Sequence, residues 1–328
     1  MNDEWVAKVF SFYGIRPKSY QEIQKGYRNK IYPVKLAGGR QLAFILYKHE
    51  PGIVERIKRL NGVSTFLQEC GLPVRYPADK RIIRIAFGGQ NLYGGLYVYL
   101  PGKTIAWEAY TASRLKELGR IMADMHSHLV GYSNDGLPDV EDEYIVKTEG
   151  MKSYFSESGV ILALREKLRL KIENSHFTLF ERLLFAAKQL PDRQALHMDL
   201  VRSNILFTPK GKISGILDFE KIAVGHPLFD IARSLAFLLV DCKYKTAEKI
   251  RHSFLESGYA KNIQAGLPRV KYTYRGKPLD LLDSLVDMFL LYDFYKFLRH
   301  NPYESLGDNQ HYVRTRNRLL QSGILAKY

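Results

Sequence analysis

The stretch His197-Met198-Asp199-Leu200-Val201-Arg202-Ser203-Asn204-Ile205-Leu206-Phe207, followed by Gly215-Ile216-Leu217-Asp218-Phe219-Glu220, decides how this chain is read. Two short apolar runs, Ile205 to Phe207 and Ile213 to Leu217, flank a Pro209-Lys210-Gly211 turn and predict a β-hairpin. Such a hairpin sets the loop before its first strand beside the end of its second, so Asp199, Asn204 and Asp218 are expected to converge. A carboxylate, an amide oxygen and a second carboxylate are what phosphoryl transfer from ATP requires. Asp199 would accept or orient the proton of an attacking hydroxyl, while Asn204 and Asp218 offer hard oxygens to Mg2+. His197, close ahead of Asp199, is expected to organise the loop through hydrogen bonds rather than to exchange a proton.

These motifs resemble the catalytic and metal-binding motifs of the aminoglycoside phosphotransferase / choline kinase superfamily, the small-molecule relatives of protein kinases. In that family the first motif usually reads H-G-D-x-H-x-x-N, and a metal-binding Asp follows in I-D-F/W-E. Here Met198 stands where glycine is common and Val201 where the second histidine is common. Gly225-His226-Pro227-Leu228-Phe229-Asp230-Ile231-Ala232 is similar to the family's G-x-P-x-x-D-L-A, whose later Asp, here Asp230, usually braces the catalytic loop. Tyr97-Val98-Tyr99-Leu100-Pro101-Gly102 resembles the hinge strand whose backbone binds adenine, which would bring Tyr97 and Tyr99 to the nucleotide. Leu118-Gly119 with Met125-His126 resembles the helix that follows. The resemblance covers most of the chain in matching order. It implies an α+β, protein-kinase-like fold of two lobes: a small antiparallel sheet with one helix, then a larger, mainly helical lobe. It also implies ATP and Mg2+ as cofactors, and transfer of the γ-phosphate to a hydroxyl of a small metabolite.

Upstream, the turns Gly26-Tyr27-Arg28-Asn29 and Ala37-Gly38-Gly39-Arg40 separate short runs rich in Ile, Val, Leu and Tyr, the pattern of antiparallel strands. Gly26 would let the first turn approach a nucleotide closely, and Arg28 would meet a phosphate. Leu42 to Lys48 reads as a strand, and Lys48, on the same face as Leu46, is the expected phosphate lysine. A helix over about 52–70 follows, with Ile53, Ile57, Leu60, Val63 and Leu67 at helical spacing and Gly71-Leu72-Pro73 as its stop. In protein kinases an acid on this helix pairs with the lysine; Glu55 is the nearest one, and Glu69 lies near the other end. Strands at Ile82 to Ala86 and Gly95 to Leu100 complete the first region. From Ala109 the period becomes helical, so the expected division is 1–98 for nucleotide binding and 99–328 for catalysis and substrate.

The 328 residues carry 49 Lys and Arg against 34 Asp and Glu, a formal charge of +15. That balance favours anionic partners, yet the basic residues are scattered and form no run marking a nucleic-acid tail, so nucleic-acid contact is compatible but not favoured. No apolar stretch approaches the roughly 20 residues a membrane span needs, and membrane insertion is not expected. The first ten residues lack the basic and apolar regions of a signal peptide. Cys70 and Cys242 suggest neither a thiolate metal site nor a disulfide framework, so the cytoplasm is the expected location. The acceptor is expected to be a small hydroxyl-bearing metabolite, selected by the acid-rich connection Gly131 to Gly150 and by Asp280 to His300. In the latter, Asp280, Asp283, Asp287 and Asp293 offer a place for a cationic amine or a sugar hydroxyl. The rival readings are a catalytically inactive nucleotide-binding module and a kinase acting on RNA or protein. The oligomeric state is left open.

Overall fold

The computed structural model describes residues 3–20, 29–87, 89–264, 266–274, 276–300, 310–321 and 326–327. In chain order it begins with α1 (Asp3–Tyr13), β1 (Pro17–Tyr20), β2 (Lys30–Leu36), β3 (Gln41–Tyr47), α2 (Ile53–Glu69), β4 (Pro77–Phe87) and β5 (Gln90–Val98). Then come α3 (Ala112–Leu129), α4 (Val140–Phe155), α5 (Ser158–Ala163), β6 (Leu170–Lys171), α6 (Asn174–Lys188), β7 (Gln194–Leu196), β8 (Ile205–Phe207), β9 (Ile213–Ile216) and β10 (Ala223–Gly225). The remainder holds α7 (Leu228–Asp241), α8 (Ala247–Arg251), a wide π-helical segment (His252–Ala260), β11 (Lys271–Tyr274), β12 (Lys277–Asp280), α9 (Leu281–His300), α10 (Gln310–Gln321) and β13 (Ala326–Lys327). This is an α+β, protein-kinase-like fold.

Two compact units divide the chain: Met1–Thr104 with Asn204–Glu220, and Ile105–Ser203 with Lys221–Tyr328. The first unit runs to Thr104, and the β8–β9 hairpin belongs to it although it lies far along the sequence. Backbone pairing is the reason. Val74 bridges Ile216, Lys103 bridges Phe207, and the Ser214 hydroxyl donates to the Pro101 carbonyl at 2.7 Å.

In the first unit five antiparallel strands run in the order β1-β2-β3-β5-β4. Leu42 through Tyr47 of β3 are all buried, so both faces of the sheet are covered. One face sets Leu42, Phe44 and Leu46, with Tyr32, Val34, Ile83 and Leu96, against Val9, Phe10 and Tyr13 of α1. Burying each such side chain is worth about 1.5–3 kcal/mol, which fixes the strand's register. The opposite face carries Ala43, Ile45 and Tyr47 toward α2, whose buried stripe is Ile53, Ile57, Leu60, Val63 and Leu67.

The second unit is mainly helical. On α3 the apolar stripe Leu115, Leu118, Met122 and Met125 is fully buried. Gly119 lets α3 pack directly on the π-helical segment: a Cβ there would lie 2.1 Å from the Phe254 carbonyl oxygen, 2.7 Å from Tyr259 N and 2.9 Å from Gly258 Cα. Those are backbone atoms that cannot turn aside. Gly119→Ala is therefore expected to cost about 3 kcal/mol or more in chemical denaturation; an unchanged midpoint would contradict this packing.

The acid-rich connection differs from expectation, because Val140 onward is helical. Glu141, Asp142 and Glu143 form the first turn of α4, where the helix dipole favours negative charge. Both cysteines are free, and no helix among the described residues is long and apolar enough to cross a membrane.

Candidate active site

β7 and β10 pair antiparallel and deliver the segment that begins at His197. Asp230, in the first turn of α7, holds that segment from below: its carboxylate accepts the His197 N–H at 2.8 Å and the Met198 N–H at 2.6 Å. His126 of α3 reaches the same carboxylate through Nε2 at 3.1 Å, and its Nδ1 meets the Tyr259 hydroxyl at 2.8 Å. All five residues are buried, and the network is satisfied when Nε2 donates to Asp230 and Nδ1 accepts from Tyr259. Burial alone would push the Asp230 carboxyl upward; His126, His197 and the Met198 N–H outweigh it and hold the group below the usual carboxylate range.

Met198 adopts φ 58°, the left-handed region that a side chain disfavours, which accounts for glycine being common at this place in the motif. Its backbone bond to Asp230 holds that conformation. His197 does organise the loop: its Nδ1 accepts the Asp199 N–H at 3.2 Å. The Asp199 carboxylate meets Lys221 Nζ at 2.7 Å. Burial pushes the Asp199 carboxyl up, yet Lys221, Arg233 and His197 win and keep it below its ordinary value.

Around that carboxylate the second unit gathers cations and tyrosines. Arg233 is buried and bonds both oxygens of Asp293 at 3.0 and 3.1 Å, and Lys296 meets Asp293 at 2.8 Å. The Tyr292 ring has Lys296 at 4.9 Å, Lys147 at 5.1 Å and Arg233 at 5.9 Å from its centroid. Lys147 also lies 4.0 Å above the Tyr144 ring.

In the first unit β8 and β9 form the predicted hairpin, and the Leu217 N–H donates to the Asn204 carbonyl at 2.8 Å. Asn204 and Asp218 are thereby brought to the same end of the hairpin. Asp218 sits at φ 61° and caps its own turn by accepting the Glu220 N–H at 3.2 Å. Asp199 lies just upstream of Asn204 in the chain and belongs to the second unit. Among the described residues no group of three or more His, Cys, Asp and Glu converges on a metal position. An amide oxygen and a carboxylate nevertheless suit Mg2+, which takes few protein ligands and draws its other oxygens from phosphate and water.

The described nucleotide residues read from the sequence lie on β3, α2 and β5 or just beyond them. β3 ends at Tyr47, and Lys48 beyond it is 62% exposed with Glu50 at 3.9 Å. Glu55 is 64% exposed on α2 and pairs with Lys58 at 2.8 Å, so Lys48 and Glu55 do not meet. The side chain entering the covered face toward α2 is Tyr47 instead. Its hydroxyl donates to the Tyr97 hydroxyl at 2.7 Å, which donates onward to Asn61 Oδ1 at 2.9 Å. Tyr97 reaches along the strand because Gly95 leaves room: a Cβ there would fall 2.7 Å from the Tyr97 ring. Tyr97 is buried and Tyr99 is partly exposed, while the Val98 N–H is taken by the Tyr76 carbonyl at 3.0 Å. Gly26 and Arg28 lie outside the described residues. Sequence reasoning did not single out Asn61, Lys221 or Arg233. Lys221, directly after the Ile216-Leu217-Asp218-Phe219-Glu220 run, and Arg233, directly after the Gly225 to Ala232 motif, sat close enough to a motif to draw notice.

Comparison with known proteins gives the family to which these motifs belong. The model of the phosphotransferase enzyme family, APH, matches residues 19–249. This chain belongs to that family. The hydroxylysine kinase of Mus musculus is 24% identical over 260 residues, covering 72% of this chain and 68% of that protein. Among solved structures, an amicoumacin kinase in complex with AMP-PNP, Ca2+ and Ami superposes with a TM-score of 0.65 at 14% identity, over 98% of this chain and 96% of its own. A microcompartment-associated aminopropanol kinase gives 0.64 at 16% identity, over 99% of each chain. These two likenesses show the fold.

Proposed function

We propose that this chain transfers the γ-phosphate of Mg2+-ATP to a hydroxyl of a small metabolite that also carries a carboxylate or phosphate. The observation that carries the reading is Asp199, kept ionised by Lys221 and Arg233 on a loop braced by Asp230. Asp199 orients the acceptor hydroxyl and takes its proton as the oxygen bonds to the γ-phosphorus and ADP departs. Because the carboxyl is held low, it is a weak base until that bond is well advanced, so positioning is the larger part of its role. Asn204 and Asp218 would hold Mg2+, which when bound neutralises charge on the phosphates.

The charge around Asp199 supports an acidic acceptor. Among the acids expected to receive an amine, Asp293 is engaged by Arg233 and Lys296, Asp283 by Arg251 at 2.7 Å, and Asp280, at the end of β12, by the Asp283 N–H at 3.1 Å. Lys147, Lys221, Lys296 and Arg233 outnumber Glu143, Asp199 and Asp293 on that face. Hydroxylysine, named for the mouse relative, carries both a hydroxyl and a carboxylate.

The test is a labelled-ATP transfer screen over hydroxy acids including hydroxylysine, sugar phosphates, amino alcohols, aminoglycosides and RNA, with Asp199→Asn as blank. Acid-bearing acceptors are expected to exceed their neutral or cationic counterparts by about tenfold in kcat/KM, one charge-assisted contact's worth. A preference for amino alcohols would remove the acidic-acceptor reading, and transfer confined to RNA would remove the small-molecule one. Mg2+-ATP binding without transfer to any acceptor would make the chain a binding module, a reading that Met198 and Val201, as departures from the family motif, and the exposed Lys48 favour.

A pH dependence follows from Lys147. Burial above all, then Arg233 and Lys221, push it down to about 8 against the pull of Glu143. Its charge is present below that value and lost above it. KM for an acidic acceptor is therefore expected to rise between about pH 7 and 9, and to stay flat across that range in Lys147→Met. A rise of equal size in the variant would assign the dependence elsewhere.

A further inference from the structure

We propose that Arg75, rather than Lys48, is the cation that grips the nucleotide phosphates in this chain. The inference rests on the phosphotransfer reading and concerns the first unit alone. A strand lysine serves phosphates only if it enters the covered face of the sheet near the metal-binding carboxylate. Here Tyr47 occupies that entry, its hydroxyl committed to Tyr97 and through it to Asn61, while Lys48 is turned out beside Glu50. An acid on α2 to pair with a lysine is likewise replaced by the neutral Asn61. The Tyr47, Tyr97 and Asn61 chain is internally satisfied and contributes no positive charge.

Arg75 supplies the missing charge from a different element. The Arg75 N–H donates to the Ile216 carbonyl at 2.9 Å, and the Ile216 N–H donates to the Pro73 carbonyl at 2.7 Å, so the backbone at 73–75 is fastened to β9 just before Asp218. On the far side the Tyr76 carbonyl accepts the Val98 N–H at 3.0 Å, and Pro77 pairs with Tyr97. The segment therefore spans from the strand end carrying Asp218 to the strand that resembles the adenine-binding hinge. A nucleotide held at both places lays its phosphates along this path. The Arg75 side chain is half-buried and lies within electrostatic reach of Asp218, Tyr47, Tyr97 and Tyr99. Among the described residues no side-chain hydrogen bond or ion pair takes up its guanidinium. A planar cation with five donors and no such partner, within electrostatic reach of the carboxylate proposed to hold Mg2+, matches the oxygens of a di- or triphosphate.

Equilibrium binding measured by titration calorimetry tests the assignment without turnover, using Mg2+-ATP and adenosine as probes on the full chain. Arg75→Met is expected to weaken Mg2+-ATP by about 30-fold and Arg75→Lys by about fivefold, with adenosine unchanged. Lys48→Met is expected to leave both probes unchanged. Loss of Mg2+-ATP affinity in Lys48→Met, or unaltered affinity in Arg75→Met, overturns the proposal. So does an equal weakening of adenosine in Arg75→Met, since that marks a packing role. Should Arg75→Met fail to unfold cooperatively, Arg75→Lys and Lys48→Met still decide between the two cations. A wild-type chain that binds adenosine but gains nothing from the phosphates also overturns it. One that binds neither probe removes the phosphotransfer reading itself.

Discussion

Asp199→Asn is expected to lower kcat by about a thousandfold while Mg2+-ATP affinity stays within about twofold, the separation expected when a group acts on the acceptor and not on the nucleotide. The substitution keeps the shape of the side chain and removes two things. It removes the oxygen charge that meets Lys221 at 2.7 Å, and it removes the ability to take the acceptor's proton. An amide can still accept a hydrogen bond from a hydroxyl, so part of the orientation survives and a residual rate is expected. The carboxyl, held below its usual range, contributes stability present above the unfolded-state value near pH 4 and lost as pH falls through its lower folded value. At neutral pH the Asn variant forgoes that contribution, and Lys221 retains its exposure to water; the fold should therefore persist with a modest loss. Single-turnover phosphate transfer at saturating Mg2+-ATP measures the effect. A rate within a few fold of wild type would withdraw Asp199 from the chemistry and move attention to the binding-module reading.

The largest structural effect is expected at Asp230. Its carboxylate accepts two backbone N–H groups and meets His126, all buried. Asp230→Ala leaves those donors without an acceptor, and Asp230→Asn turns an amide N–H toward at least one of them. A loss of about 3–5 kcal/mol is expected for the alanine, the usual cost of breaking a buried charged network by deleting one partner. The effect on the site is as important as the effect on stability. Met198 stays at φ 58° only while something holds it, and the Asp230 oxygen at 2.6 Å from its N–H is that restraint. Released, the backbone is expected to relax and carry Asp199 away from its position, so kcat should fall even where the variant is still folded. Chemical denaturation and single-turnover kinetics on the same preparation separate the two losses. An unfolding midpoint equal to wild type would refute the network as a source of stability. A second signature is pH. The wild-type contribution is lost as pH falls below about 4, and the alanine variant should lack that component.

Much of this protein was legible in its sequence, for a physical reason in each case. The apolar runs around Pro209-Lys210-Gly211 could bury themselves only as a hairpin, and β8 with β9 does so. The spacing of Ile53, Ile57, Leu60, Val63 and Leu67 admitted one buried helical stripe, and α2 buries it. His197, with a ring nitrogen close to a loop backbone, was bound to satisfy a local N–H, and it accepts that of Asp199. The order of a sheet followed by helices emerged from the change of period after Pro101, because strands and helices bury apolar residues at different intervals.

What the sequence by itself determined is the set of local elements and the motif residues they carry. Which side chain enters each covered face was decided only by the tertiary structure. In β3, Leu42 through Tyr47 are apolar or aromatic on both faces, so a period of two carries no information about orientation, and Tyr47 rather than Lys48 turned out to face α2. Gly95 made that arrangement possible, since the Tyr97 ring crosses where a Cβ would stand, a contact invisible without the neighbouring strand. The same holds for Asp293, whose charge in the sequence suggested an amine site until Arg233 and Lys296, on α7 and its own helix, were seen to occupy it. Arg75 gained its place because 73–75 pairs with β9, more than a hundred residues away in the chain. Local propensity acts over a few residues; these choices depend on contacts between segments that only the folded chain brings together.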